Sequence, residues 1–65
     1  MDIYLNATFI GADGTNGYTN GSEYELSAHV SYGAVKIYEC PNGQEWLFDD
    51  LYSFLQNWSY ISLRS

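Results

Sequence analysis

A single cysteine, Cys40, and a single histidine, His29, in 65 residues remove the two devices on which very small domains most often rest. One thiol cannot close an internal disulfide, and one copy of each ligand type cannot build a four-ligand zinc centre. A chain of this length makes one domain, 1–65, and buries only about 60% of the surface its unfolded form exposes. Its core must therefore come from large side chains. Seven Tyr, three Phe and two Trp are the material at hand, each burying roughly 150–250 Å² when enclosed. Self-association is the remaining stabiliser for so small a core.

Charge narrows the partners. Eight Asp and Glu face only Lys36 and Arg64, for a formal charge of −6. Nucleic-acid backbones are held by neutralising several phosphates with Lys and Arg, so direct DNA or RNA binding is not expected. The same field favours a basic protein surface, although solubility alone also accounts for an acidic balance. A lone thiol fits a reducing compartment. No apolar run approaches the ~20 residues that span a bilayer, and Met1-Asp2-Ile3-Tyr4 lacks the basic flank of a secretion signal. The expectation is a cytoplasmic protein with no membrane contact, in which the Asn-x-Ser/Thr triplets at Asn6, Asn20 and Asn57 are coincidences of composition.

Along the chain, Ile3, Leu5, Ala7 and Phe9 alternate with polar neighbours, which predicts a strand over about 2–10. The stretch Gly11 to Gly21 is a glycine-rich loop. It does not read as a calcium loop, because Asp13, Thr15 and Gly17 occupy the positions where oxygen ligands should repeat. Neither a metal nor any other cofactor is expected. A second strand, 23–32, alternates from Tyr24 to Tyr32, and Gly33-Ala34 suits a two-residue turn into a third strand, 35–40. That turn sets Tyr32 opposite Val35 and Val30 opposite Ile37. The Cys40-Pro41-Asn42-Gly43 turn then leads to a strand over 44–48. Counting from it sets Glu39 against Glu45, Tyr38 against Trp46 and Ile37 against Leu47. Directly opposed carboxylates destabilise a ladder, so the Glu39/Glu45 pair is either tolerated at a solvated, loose hairpin tip or met by a basic group from a partner.

Asp49 or Asp50 caps a helix over about 50–58 whose Leu51, Phe54, Leu55 and Trp58 fall at i, i+3, i+4 and i+7. Residues 59–65 alternate again and are read as a short strand or a tail. The fold class is mainly β with one C-terminal helix: a small, strongly bent antiparallel sheet, or an SH3-like partly open barrel, of four to five strands. The expected core is Leu26, Val30, Val35, Ile37, Leu51, Phe54, Leu55 and Trp58. One sheet face would carry Tyr24, Leu26, Val30, Val35, Ile37 and Leu47, the other Tyr38, Trp46 and Phe48 near His29.

Phe9-Ile10-Gly11-Ala12-Asp13-Gly14, with Gly17-Tyr18, Gly21 and Tyr24-Glu25-Leu26 after it, resembles small proteins encoded by phages and prophages of Gram-positive bacteria. The resemblance extends to Cys40-Pro41 and to the segment from Leu51 through Asn57-Trp58. The chain departs from that pattern in having few lysines and in its Asn-Gly-Gln-Glu-Trp stretch after the Cys-Pro pair. The resemblance implies a phage-borne accessory protein, a type that often binds and disables a host enzyme or defence complex.

Catalysis finds little support, because His29 sits in mid-strand and Cys40 in a turn, a diagonal contact at best. The chain is therefore read as a non-enzymatic inhibitor or modulator of a host protein with a basic surface. Glu39, Glu45, Tyr38, Trp46, Asp13 and Tyr18 are the contact candidates. The alternative is a homo-oligomeric structural or assembly module whose sheet edge pairs with copies of itself. A weaker one is a small-ligand sequestering protein, which the acidic balance disfavours.

Overall fold

The alternating pattern at the start of the chain becomes a strand buried on one side, β1 (Asp2–Phe9), with Leu5, Ala7 and Phe9 enclosed. The computed structural model describes residues 2–40 and 43–64. After β1 come a short 3-10 turn at Thr15–Gly17, then β2 (Glu23–Ser31), β3 (Ala34–Glu39), β4 (Glu45–Phe48), α1 (Leu51–Asn57) and β5 (Trp58–Leu63). The strands form one antiparallel sheet in the order β4-β3-β2-β1-β5. The sheet does not close, and the fold is the strongly bent antiparallel sheet with one helix, with β4 and β5 as its two edges. The bend brings Trp46 of β4 and Trp58 of β5 to 6.4 Å between ring centroids. The segment left open between strand and tail is a strand as far as Leu63, and Ser65 lies outside the described residues.

The core lies on the concave side, where Phe9, Leu26, Ala28, Val35, Ile37, Phe48 and Trp58 meet Phe54 of the helix. Asp50 starts that helix by accepting a 2.8 Å hydrogen bond from the Ser53 N–H, satisfying one of the otherwise orphaned first-turn donors. The helix stops at Asn57, and Trp58 is already extended at φ −134° and ψ 135°. The helix therefore contributes Phe54 alone to the core. Leu51 and Leu55, expected inside, are exposed on its flanks, and Val30 is likewise at the surface.

Two registers differ from those counted along the chain. The β2–β3 turn is Tyr32-Gly33, both at positive φ (53° and 83°), which closes Ser31 onto Ala34 and sets Val30 opposite Val35. Paired positive angles match the twist of a two-residue hairpin. This register slips by two residues from the expected one, which preserves the faces. The β3–β4 register slips by one: Val35 faces Phe48, Ile37 faces Trp46 and Tyr38 faces Glu45. A one-residue slip exchanges the sides, so Trp46 and Phe48 turn inward and Leu47 outward. The connecting turn falls partly at Pro41 and Asn42, outside the described residues.

The loop between β1 and β2 plugs the concave side. Tyr18 enters the core and stacks near Trp46, with ring centroids 6.0 Å apart and planes 18° from parallel. Its base is tied by the Asp13 carboxylate, which accepts the Asn20 N–H at 3.0 Å, and by the Asn20 amide donating to the Gly11 carbonyl. Gly11 is needed for space, since a Cβ there would lie 2.5 Å from Asn57 Oδ1 and 2.7 Å from Phe9 Cζ.

Candidate functional site

The convex face of the sheet carries most of the chain's ionisable side chains. Asp2 faces His29 across β1 and β2, and His29 faces Lys36 across β2 and β3. The Asp2 carboxylate lies 2.6 Å from His29 Nδ1, and this hydrogen bond holds the Asp2 carboxyl below its ordinary range. Lys36 Nζ sits 3.9 Å from Glu45, and the Arg64 guanidinium 3.7 Å from Glu25. Every one of these groups is more than a third exposed, so solvent screens each pair and its contribution to stability is small. Their larger consequence is that His29, Lys36 and Arg64 are all engaged with carboxylates. Asp2, His29, Lys36, Tyr38, Gly43 and Glu45 line an open hollow of about 380 Å³.

Cys40 does not join that hollow. Its N–H donates to the Glu25 carbonyl, at the far end of the β2–β3 ladder. That is four residues from the His29–Lys36 rung, or roughly 13 Å at the ~3.3 Å rise of a strand. The diagonal Cys–His contact is therefore absent. Among the described residues no group of three or more His, Cys, Asp or Glu side chains is placed to hold a metal ion.

The contact candidates separate into three places. Glu45 and Tyr38 are cross-strand neighbours on the convex face. Glu39 lies on the other side, opposite Leu26, so the opposed carboxylate pair does not form. Tyr18 is buried and Trp46 half-buried, both within the aromatic cluster. Burial raises the Tyr18 phenol pKa, and the nearby Glu39 carboxylate raises it further. Asp13 is on the loop surface beyond that cluster.

A different grouping emerges at the loop end of the sheet. Glu23 opens β2 and Glu39 closes β3, while Asp13 sits in the loop joining β1 to β2. None of these three carboxylates has a cationic partner among the described residues. The sequence supplied their identity but not their segregation, because the pairing that engages the three cations depends on register. No family model, curated protein or solved structure matches the chain. Among the described residues, no helix is long and apolar enough to cross a membrane.

Proposed function

We propose that the chain is a small acidic binding protein that docks on a basic surface of a larger protein and inhibits or modulates it. In the phage-type reading the target is a host protein, with a CRISPR or other defence complex as the leading class. The observation that carries the proposal is the partition of charge. The cations are engaged on the convex face, and Asp13, Glu23 and Glu39 remain at the loop end with no counter-charge among the described residues. Carboxylates of this kind gain most from a basic partner, and their effect falls mainly on the association rate. The half-buried Trp46, near Glu39 at the same end, adds an aromatic anchor of the type enriched in binding surfaces.

The test is capture from a bacterial lysate on immobilised protein, comparing wild type with a Glu23→Gln/Glu39→Gln variant at low and high salt. Neither side chain has an ion-pair partner among the described residues to lose, so the variant should fold. A specifically captured protein should associate several-fold more slowly with the variant and with rising salt. Capture indifferent to both changes would remove the loop end from consideration.

A further inference from the structure

The segment Leu51–Leu63 contains no Asp, Glu, Lys, Arg or His, in a chain of net charge −6. It also supplies six of the large apolar side chains that the fold leaves exposed: Leu51, Tyr52, Leu55, Tyr60, Ile61 and Leu63. Helix α1 passes directly from Asn57 into Trp58 of β5 and is in contact with that strand. Strand β5 is a sheet edge, paired with β1 on one side only. The Arg64 N–H donates to the Tyr4 carbonyl at 2.9 Å. By the alternation of an antiparallel ladder, the backbone groups of Leu63 and Ile61 then point away from β1. Tyr60, at φ 53°, lies where the β1–β5 register shifts. The regular free edge is therefore Ile61 to Leu63.

We propose that this strip is a homodimer surface, in which β5 pairs antiparallel with β5 of a second copy about a two-fold axis near Ser62. Two five-stranded sheets then become one continuous sheet. A second copy fits because the strip is complementary to itself. Free N–H groups meet free C=O groups, Ile61 faces Leu63 of the other copy, and Arg64 lies across from the other copy's Tyr60 ring. Charge points to the same occupant, because two acidic chains repel wherever their carboxylates meet and this segment has none. The area is adequate as well. Tyr52 and Tyr60 are 71% and 78% exposed, so they offer on the order of 300 Å² at 150–250 Å² per ring. The four aliphatic side chains bring the strip towards the roughly 800 Å² per partner of a standard interface.

Sedimentation equilibrium over a concentration series into the millimolar range tests this. The wild-type mass should rise from 7.4 kDa towards twice that value, and added salt should preserve or strengthen the association as like-charge repulsion is screened. Leu63→Lys and Ile61→Lys should each weaken dimerisation at least tenfold, since an edge lysine blocks strand addition. Leu47→Lys, on the opposite edge strand β4, should leave it unchanged. A wild type that stays monomeric at millimolar concentration overturns the proposal, as does a dimer that survives Leu63→Lys or is lost with Leu47→Lys. Should the lysine variants fail to fold, amide exchange on the wild type decides. The Ile61 and Leu63 N–H groups should gain protection with concentration, and unchanged exchange refutes the surface.

Discussion

Replacing Trp58 separates what its bulk contributes from what its indole N–H costs. The residue is fully enclosed, and its ring centroid lies 4.9 to 6.5 Å from those of Phe9, Tyr18, Tyr24, Trp46 and Phe54. It joins β5, the loop plug, the helix and β4 at a single point. Truncation to Ala removes the whole ring from a site that cannot collapse without moving four elements, so the cost should lie at the upper part of the ~3–5 kcal/mol range for aromatic deletions. A domain of this size has roughly 3–10 kcal/mol in total, at ~0.05–0.15 kcal/mol per residue. Trp58→Ala should therefore lose about half or more of the domain's stability, with a large fall in its unfolding midpoint. Trp58→Phe should behave differently. The Nε1–H of Trp58 is buried with no hydrogen-bond partner among the described residues, and an unmet buried donor costs about 1–3 kcal/mol. The smaller ring forfeits on the order of 1 kcal/mol in cavity formation and removes that donor. The net change should stay within about 1 kcal/mol. Urea unfolding followed by far-ultraviolet circular dichroism, with Trp46 fluorescence as a second probe, measures both variants. A folded Trp58→Ala protein with an unchanged midpoint would refute the packing. A Trp58→Phe variant as damaged as Trp58→Ala would show that the indole nitrogen does have a partner.

The inward face of β4 makes a second prediction. Leu47→Glu should leave the unfolding midpoint almost unchanged or place a new carboxylate near Lys36, whereas Phe48→Glu should unfold the domain, because Leu47 is 63% exposed and Phe48 5%. The opposite ranking would restore the other register. Acid sensitivity gives a third. The Ser53 N–H holds the Asp50 carboxyl below its ordinary 3.8, and the His29 contact does the same for Asp2. A carboxyl whose folded pKa is depressed stabilises the fold above its unfolded pKa and loses that contribution as pH falls through the folded value. Stability should therefore fall below pH 3.8, and an Asp50→Asn variant, which keeps a cap without the charge, should show a shallower acid limb. An identical limb would assign the loss to other carboxylates.

How far the chain announced its structure depends on which periodicity each segment obeyed. Strands β1 and β2 were readable because Leu5, Ala7, Phe9, Leu26 and Ala28 alternate with polar residues, and a period of two is insensitive to where the strand ends. The β2–β3 turn was placed one residue late, which moves the register by two. Tyr32 at positive φ is an unusual choice, and Gly33 at the first turn position looked the better one. The faces survived because a slip of two is invisible to alternation. At β4 the slip was one residue, and every side chain of a four-residue strand exchanged sides. Helical spacing misled in a similar way: Leu51, Phe54, Leu55 and Trp58 fit one face only if the helix continues to Trp58, and it stops one residue short. Tyr18 had no signal at all. A tyrosine in a glycine-rich loop reads as surface until Trp46 and Phe9 supply the walls that enclose it.

The same slips decided how much of the candidate site was visible. Glu39 and Glu45 looked like one acidic pair, and the true register sends them to opposite sides of the sheet. Glu45 then meets Lys36, while Glu39 ends β3 on the core side, across the sheet from Glu23, with Asp13 in the adjoining loop. At that loop end β5 contributes Trp58 and Ser59, opposite Phe9 and Thr8, whereas Leu63 and Ser62 pair with Leu5 and Asn6 in the middle of β1. A dimer joined through β5 would thus hold two acidic ends pointing apart. Two copies of a binding surface on one body raise apparent affinity for an oligomeric or repeating target by raising its local concentration, without any new contact. The two associations respond oppositely to ionic strength. Salt weakens attraction between the carboxylates and a basic target, and it relieves repulsion between two acidic copies. In one salt series, partner capture should fall while the dimer fraction holds or rises. A parallel decline of both would place the dimer contact among the charged residues and not on the uncharged strip.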